Sequence, residues 1–254
     1  MPLVGTSWKM HFDSSEASTW FTVARALLDG VAGCEVFVLP PFTALWLARE
    51  RLAGSRIAWG AQDVHGEEEG AHTGDVSAGM LADLGCTFVE VGHSERRRDH
   101  GETDEVVARK VHQVAGHGMT PILCVGEPEA GPTDAAVRLV TTQLERCLVG
   151  LERPAWPGVV VAYEPVWAIG EGARSASPDH VGTVQRAIHE RIRGAGGSDG
   201  RVIYGGSVDE DTAGGILAEV GVDGLFVGRA ALDPRRFAAI VGIAARLAGA
   251  PARD

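Results

Sequence analysis

The feature that most constrains the fold is a regular alternation of strand-like and helix-like segments along all 254 residues. The apolar runs lack internal alternation, as is typical of strands buried on both faces, and the segments between them have helical periodicity. The runs end, in order, near Trp8, Leu39, Ala61, Val91, Val125, Tyr163, Tyr204 and Val227. This alternation predicts parallel strands joined by right-handed crossovers. Because the length is close to the roughly 250 residues of an eight-unit barrel, we predict one α/β domain over residues 1–254, a single (β/α)8 barrel.

An open, doubly wound sheet is the alternative architecture for such a pattern. It normally carries a glycine-rich dinucleotide fingerprint after the first strand, and the segment Ser7–Met10 is unlike one. We therefore favour the closed barrel, in which the carboxyl ends of the strands meet at one mouth. The residues expected at that mouth are Lys9, His93, Glu164, Ser207 and Gly228.

Capping residues indicate where several helices begin. Ser14 or Ser15 is predicted to cap the first helix. The pairs Ser177–Pro178 and Asp233–Pro234 each place a capping residue before a proline in the first turn of a later helix.

Composition and charge exclude several classes of function. The formal net charge of −11 argues against nucleic acid or an anionic membrane as a partner. No apolar stretch reaches the roughly 18 residues needed to span a bilayer, and the first strand begins too early to leave room for a signal peptide. The cysteines lack metal-site spacing, so we expect reduced thiols in a cytoplasmic protein. They are Cys34, Cys86, Cys124 and Cys147.

The most informative segment for chemistry follows the sixth apolar run. Glu164 lies where that run stops, and Pro165 prevents simple continuation of the strand. Gly170 and Gly172 then lie within an apolar loop. A carboxylate at the end of a buried strand, followed by a hinged flap, suits proton transfer under a lid. The alternative is a solvated glutamate at a strand end.

Three further segments end strand-like runs with comparable chemistry: Thr6–Met10, Val91–Arg97 and Tyr204–Val208. Together with Ala162–Gly170 they closely resemble the triosephosphate isomerase family in order and spacing, and the resemblance runs from Val4 to the last helix. Further matches are Gln62, Thr73–Gly74, Gly101–Glu102, Cys124–Glu127 and Val227–Gly228. The resemblance implies a TIM barrel that interconverts an aldose and a ketose by moving a proton between adjacent carbons through an enediolate.

That chemistry assigns roles to the residues at the mouth. Glu164 is the expected base, because desolvation by the apolar loop would make its carboxylate more basic. His93 is the expected electrophile, a neutral ring at a helix N-terminus with Ser94 as the helix cap. Lys9 would stabilise the substrate phosphate and the developing negative charge. Glu95 resembles the family residue that contacts the region of this lysine, although it also suits the first turn of a helix.

Glycine-rich turns predict the phosphate site. Gly205–Ser207 and Gly228–Arg229 follow the seventh and eighth strands, where phosphosugar barrels bind phosphate through backbone N–H groups. Gly170 would add another N–H when the lid closes. We expect no metal or organic cofactor, since no step requires one and His189 lacks the second histidine of a zinc-binding helix.

Three positions depart from the family pattern: Ser7 replaces an asparagine, Arg229 replaces a glycine, and Glu171 replaces a small hydroxyl residue in the lid. Ser7 and Arg229, together with Glu90, also resemble the erythrulose phosphate isomerases of tetritol catabolism. They favour a four-carbon erythrulose phosphate substrate. The alternatives are an ordinary triose-phosphate isomerase of glycolysis and gluconeogenesis, acting on dihydroxyacetone phosphate and glyceraldehyde 3-phosphate, and a non-catalytic phosphosugar-binding barrel.

The loop Gly70–Asp75 resembles the family's protruding third loop, which docks into a neighbouring subunit. We therefore expect a homodimer formed through the loop around Thr73. The alternative is a mobile surface loop on an active monomer.

Overall fold

The computed structural model describes residues 1–170, 175–196 and 200–249. Within these residues, eight parallel strands form a closed barrel in chain order, and the eighth pairs with the first. The strands are β1 (Leu3–Ser7), β2 (Glu35–Leu39), β3 (Ile57–Ala61), β4 (Phe88–Val91), β5 (Thr120–Val125), β6 (Val160–Tyr163), β7 (Arg201–Tyr204) and β8 (Gly224–Val227). The predicted (β/α)8 barrel is confirmed.

Helices surround the barrel and connect its strands. They are α1 (Ser14–Leu28), α2 (Leu45–Leu52), α3 (Ala78–Leu84), α4 (Ser94–His100), α5 (Asp104–Gly116), α6 (Thr133–Cys147), α7 (Pro178–Gly196), α8 (Ala213–Leu217) and α9 (Pro234–Gly249). Short 3-10 turns cover Phe42–Ala44, Arg153–Gly158, Val166–Ala168 and Arg229–Leu232. None of the helices in the described ranges is long and apolar enough to cross a membrane.

The cap of α1 differs from the sequence prediction. Asp13, rather than Ser14 or Ser15, accepts hydrogen bonds from the backbone N–H groups of Ser15 and Glu16, and the Glu16 carboxylate accepts the N–H of Asp13 in return. This reciprocal capping box satisfies more of the free amides of the first turn than a serine would. The caps predicted at the other two helices are present, with Ser177 Oγ accepting the His180 N–H at 3.3 Å and Asp233 preceding α9.

Alternation along the strands brings polar side chains into the mouth of the barrel. Ile122 and Ala162 belong to the apolar cluster inside the barrel. Side chains two residues apart on a strand share a face, so Cys124 and Glu164 point into the same interior. Glu90 lies two residues after the interior residue Phe88 on β4, so it faces the same interior, and it is 2% exposed. The carboxyl end of the barrel is therefore closed by polar rather than apolar groups.

A buried charge network ties the loop after β3 to helices α4 and α5. Lys110 Nζ donates to Asp63 Oδ1 and to Glu102 Oε1, both at 2.6 Å. Arg96, on α4, contacts the same two carboxylates at 2.8 Å and 2.6 Å. Because each buried charge has an opposite partner, the network fixes α4 without leaving an unpaired ion.

Candidate active site

Every residue that the sequence predicted for the site lies at the carboxyl end of the barrel strands. Ser7 ends β1, Lys9 follows it, His93 precedes α4, Glu95 lies in the first turn of α4, Glu164 follows β6, Gly170 follows the 3-10 turn Val166–Ala168, Ser207 follows β7, and Gly228 and Arg229 follow β8. The lid residue Glu171 lies outside the described residues. Close contacts join Ser7, Lys9, His93, Glu95 and Glu164 into one chain of polar groups with Glu90.

Lys9 is held in an unusual backbone conformation. Its φ angle is 55°, in the left-handed region that a residue with a Cβ adopts at a cost of about 1–3 kcal/mol. Nζ of Lys9 donates to Glu95 Oε1 at 2.7 Å. Although partial burial opposes ionisation of Glu95, the Lys9 hydrogen bond and charge hold the pKa of that carboxyl below its ordinary value. The strained turn therefore places an ammonium at the mouth and pairs it with a carboxylate.

His93 caps helix α4 with its own side chain. Nδ1 accepts the backbone N–H of Glu95 at 3.2 Å, so the prediction that Ser94 is the cap is wrong. Since Nδ1 is the acceptor, the neutral ring carries its proton on Nε2. That nitrogen lies 3.5 Å from Glu164 Oε2. The cap therefore fixes the tautomer and directs a donor into the mouth.

The ring of His93 is neutral at pH 7. Burial and the charge of Lys9 lower the pKa of His93 to about 4. The sequence attributed neutrality to the helix N-terminus, whereas desolvation is the largest cause in the structure.

Glu164 is buried directly after β6, with 4% of its surface exposed. Burial, followed by the negative charge of Glu90, raises the pKa of Glu164 well above its ordinary value. Oε2 has no hydrogen-bond partner among the described residues. A Cβ on Gly205 would lie 2.7 Å from both Cγ and Oε1 of Glu164, so only glycine leaves room for this side chain.

Glu90 is the functional group whose importance the sequence did not establish. Ser7 Oγ donates to Glu90 Oε2 at 2.7 Å, and Cys124 Sγ donates to Oε1 at 3.7 Å. Burial raises the pKa of Glu90 to about 7. The serine that replaces the family asparagine is therefore bound to Glu90 through its hydroxyl. The signal in the sequence for a role of Glu90 is a carboxylate inside an apolar strand run, two residues after Phe88.

A second polar network anchors the loop that follows Glu164. The indole Nε1 of Trp167 donates to Glu127 Oε1 at 2.7 Å. The hydroxyl of Tyr163 donates to the same carboxylate at 3.0 Å, and His180 Nε2 lies 2.9 Å from that hydroxyl. Sequence reasoning matched Glu127 to the family without giving it a role. The contacts assign it to holding the base of the lid segment.

The opposite side of the mouth is formed by turns rather than side chains. The carbonyl of Ser207 accepts a hydrogen bond from Ser175 Oγ at 3.3 Å, which links the turn after β7 to the segment leading into α7. Gly228 caps the short 3-10 turn that begins at Arg229. Gly170 is exposed, with φ of 114°. Backbone N–H groups of glycine-rich turns are a common site for an anion.

Two groups of described residues bring three acid or imidazole atoms within 4.8 Å of one another: Glu90, His93 and Glu164, and the loop residues His65, His72 and Asp75. Nδ1 of His65 accepts the N–H of Glu67 at 3.2 Å, just as Nδ1 of His93 accepts a backbone N–H. In both rings Nε2 therefore carries a proton rather than a free lone pair. The first group is better suited to proton transfer than to binding a cation.

Comparisons with known proteins agree with this geometry. Residues 2–244 match the profile of the family described as Triosephosphate isomerase. The triosephosphate isomerase of Thermus thermophilus is 46% identical over 95% of this chain and 98% of its own length. That of Saccharopolyspora erythraea is 44% identical over 96% and 97%. The crystal structure of the Bartonella henselae triosephosphate isomerase superimposes with a TM-score of 0.83 at 32% identity, covering 95% of this chain and 98% of that one.

Proposed function

Because the chain belongs to the triosephosphate isomerase family and is an aldose–ketose isomerase, we propose that it moves a proton between adjacent carbons of a small phosphorylated sugar through an enediolate. One observation carries the proposal: His93 Nε2 faces Glu164 Oε2 at 3.5 Å inside a buried mouth. A base beside a neutral hydrogen-bond donor is what enolisation of a carbonyl sugar requires. This division of roles is the established one for triosephosphate isomerases.

Glu164 takes the carbon-bound proton in this proposal. Its ionised form is a strong base because burial raises the pKa of the carboxyl. The oxygen Oε2 is available because no described residue donates to it. The proton taken from one carbon is returned to the next, so the enzyme is unchanged after each turnover.

His93 stabilises the oxygen on which negative charge develops. Its Nε2–H donates to the carbonyl oxygen of the substrate and then to the enediolate. The neutral ring suits this role because Nε2–H can donate while Nδ1 keeps accepting the N–H of Glu95, and the pKa near 4 keeps the ring neutral.

Lys9 supplies positive charge at the mouth of a chain that is acidic as a whole. Its ammonium is fixed by Glu95 and faces the mouth. It would attract the substrate phosphate and stabilise charge in the transition state. Backbone N–H groups of Gly170, Ser207 and Gly228 are proposed to bind the phosphate, with Arg229 beside them.

The finer part of the proposal concerns substrate length. We favour a four-carbon erythrulose phosphate because Ser7 is shorter than the family asparagine and its hydroxyl is bound to the buried Glu90. This polar pair gives the pocket a hydroxyl and a carboxyl group where an additional substrate hydroxyl can be recognised. Triose phosphate is the second candidate, since the relatives compared above are named triosephosphate isomerases.

The substrate assay compares kcat/KM for dihydroxyacetone phosphate and erythrulose phosphate on one preparation. A group the size of one carbon shifts discrimination by about 1–3 kcal/mol, or roughly 10–200-fold. Preference for erythrulose phosphate that is lost in the double variant Ser7→Asn, Arg229→Gly supports the four-carbon proposal. Preference for the triose beyond that range rejects it. Absence of turnover with both sugars would reject the isomerase proposal itself.

We also propose a homodimer formed through the loop around Thr73. Residues 67–75, which include Thr73, are all exposed. Large apolar side chains are exposed in other segments of the same half of the chain: Met10 is 96% exposed, Trp46 60% and Met80 59%. A dimer interface that includes these segments would cover apolar side chains that are exposed in the monomer. Sedimentation velocity at assay concentration tests the dimer, and a fully active monomer would contradict it.

A cytoplasmic location is proposed from the cysteines. All four are buried and free of disulfides. Reduced thiols are typical of cytosolic proteins.

A further inference from the structure

Glu90 is a buried titratable group to which the proton transfer described above gives no role. Its carboxyl group, His93 and Glu164 each bring one acid–base atom within 4.8 Å of the others. Glu90 lies on β4 and Glu164 directly follows β6, and both are buried at the carboxyl end of the barrel. Two carboxyl groups therefore share one enclosed space.

The groups that face this pair determine how much negative charge it can hold. Lys9 from the loop after β1 is the cation, and its Nζ is already taken by Glu95 from α4 at 2.7 Å. Cys124 from β5 is a neutral thiol, because burial raises its pKa well above the ordinary value. His93 is neutral, and Ser7 contributes a single hydroxyl. Two ionised carboxylates in this space would repel each other, and among the described residues Lys9 is the cation whose charge acts on both of them, while Arg97 and Arg98 act on the neighbouring Cys124 and His93.

We propose that Glu90 and Glu164 share a single proton, so that Glu90 is a positioning residue that sets the pH at which Glu164 acts as the base. The inference rests on the proposed role of Glu164. When Glu164 gives up the shared proton, Glu90 is the neighbouring group that can accept it. Ser7 contributes by donating a hydrogen bond to Glu90 that favours the ionised form of this carboxyl group.

The shifts of the two groups agree with this geometry. Burial raises both pKa values, that of Glu90 to about 7, and the charge of Glu90 further raises that of Glu164. The apparent pKa values of such a coupled pair describe the two groups together rather than either residue alone. Removing the charge of Glu90 should therefore make Glu164 ionise at lower pH.

The test is the pH dependence of kcat/KM for the wild type and for Glu90→Gln, with the preferred ketose phosphate. Glutamine keeps the size of the side chain and removes its charge. The acid limb should move to lower pH by about one unit or more in the variant. A folded Glu90→Gln enzyme whose acid limb stays in place would overturn the proposal.

Ser7→Ala provides a second variant that keeps Glu90. Without the hydroxyl, Glu90 loses a hydrogen bond that favours its ionised form, so it stays protonated to higher pH. The acid limb should then move in the same direction as in Glu90→Gln, but by less. A shift in the opposite direction would contradict the shared proton.

Thermal unfolding separates this inference from the proposed function, because it needs no turnover. Both folded carboxyl groups have raised pKa values, so their contribution to stability is present at acidic pH and is lost as the pH rises through neutrality. The melting temperature of the wild type should fall between about pH 5 and pH 8 relative to that of Glu90→Gln. If the wild type isomerises neither sugar, the proposed function fails. The comparison of melting temperatures then tests the shared proton by itself. A constant difference across that range overturns the shared proton.

Discussion

Replacing Gly205 by alanine should displace the base without altering any charged group. A Cβ at this position would lie 2.7 Å from Cγ and from Oε1 of Glu164, inside the 3.4–4 Å of ordinary contact. Because the side chain of Glu164 is buried in a closed mouth, it must move by about 0.7 Å or more to relieve the clash. The backbone of Gly205 is not in the left-handed region, so the substitution adds crowding without backbone strain.

The size of the effect follows from that displacement. A misplacement of about 1 Å costs on the order of 100-fold in a positioned reaction. We therefore expect kcat/KM to fall about 10- to 100-fold in Gly205→Ala. Overpacking should cost roughly 1–3 kcal/mol of folding free energy, which is small enough to leave the protein folded.

Steady-state kinetics and thermal unfolding of Gly205→Ala and a control variant measure the losses of activity and stability. The control is Gly215→Ala, an exposed position in α8 where an added Cβ meets nothing within 4 Å. The control should keep the wild-type kcat/KM and equal or exceed its stability, since alanine favours a helix over glycine. If Gly205→Ala were folded and as active as the control, Glu164 would not lie against Gly205 during catalysis, and the reasoning would be refuted.

Two further predictions concern the supports of the site. Trp167→Phe removes the N–H that donates to Glu127 at 2.7 Å, and we expect about 10-fold lower kcat/KM with little change in melting temperature, because a loosened lid base delays closure. Wild-type kinetics in this variant would show that the hydrogen bond does not serve the lid. Lys110→Met leaves Asp63 and Glu102 with one cation fewer in a buried network, and denaturant unfolding should report a loss of about 3–5 kcal/mol. A loss below about 1 kcal/mol would mean that the network is not needed for stability.

The strands and the mouth could be predicted from the sequence because both depend on local pattern. The ends of the apolar runs coincide with the ends of the strands except at β1, which stops at Ser7 rather than Trp8. The left-handed backbone of Lys9, directly after Trp8, turns the chain away from the sheet there. The positions of Glu164 and His93 at the mouth could be predicted because each follows a strand, and strand ends converge in a closed barrel.

What the sequence missed depends on contacts between distant residues. Ser94 looks like the better helix cap, and only the three-dimensional position of the His93 ring shows that Nδ1 takes that role. The role of Glu90 depends on Ser7, which is 83 positions away in the chain. The buried pairing of Lys110 with Asp63 likewise joins residues 47 positions apart. Spacing along the chain carries no information about such pairs.

Proton exchange between solvent and substrate tests the central claim most directly. The enzyme is incubated in deuterium oxide with dihydroxyacetone phosphate or erythrulose phosphate, and incorporation at the carbon next to the carbonyl is followed by NMR. The proposed mechanism predicts exchange by the wild type and a loss of about 100- to 10,000-fold in Glu164→Gln, which keeps the shape of the side chain but cannot accept the proton. Exchange at the wild-type rate in a folded Glu164→Gln enzyme would contradict the assignment of Glu164 as the base.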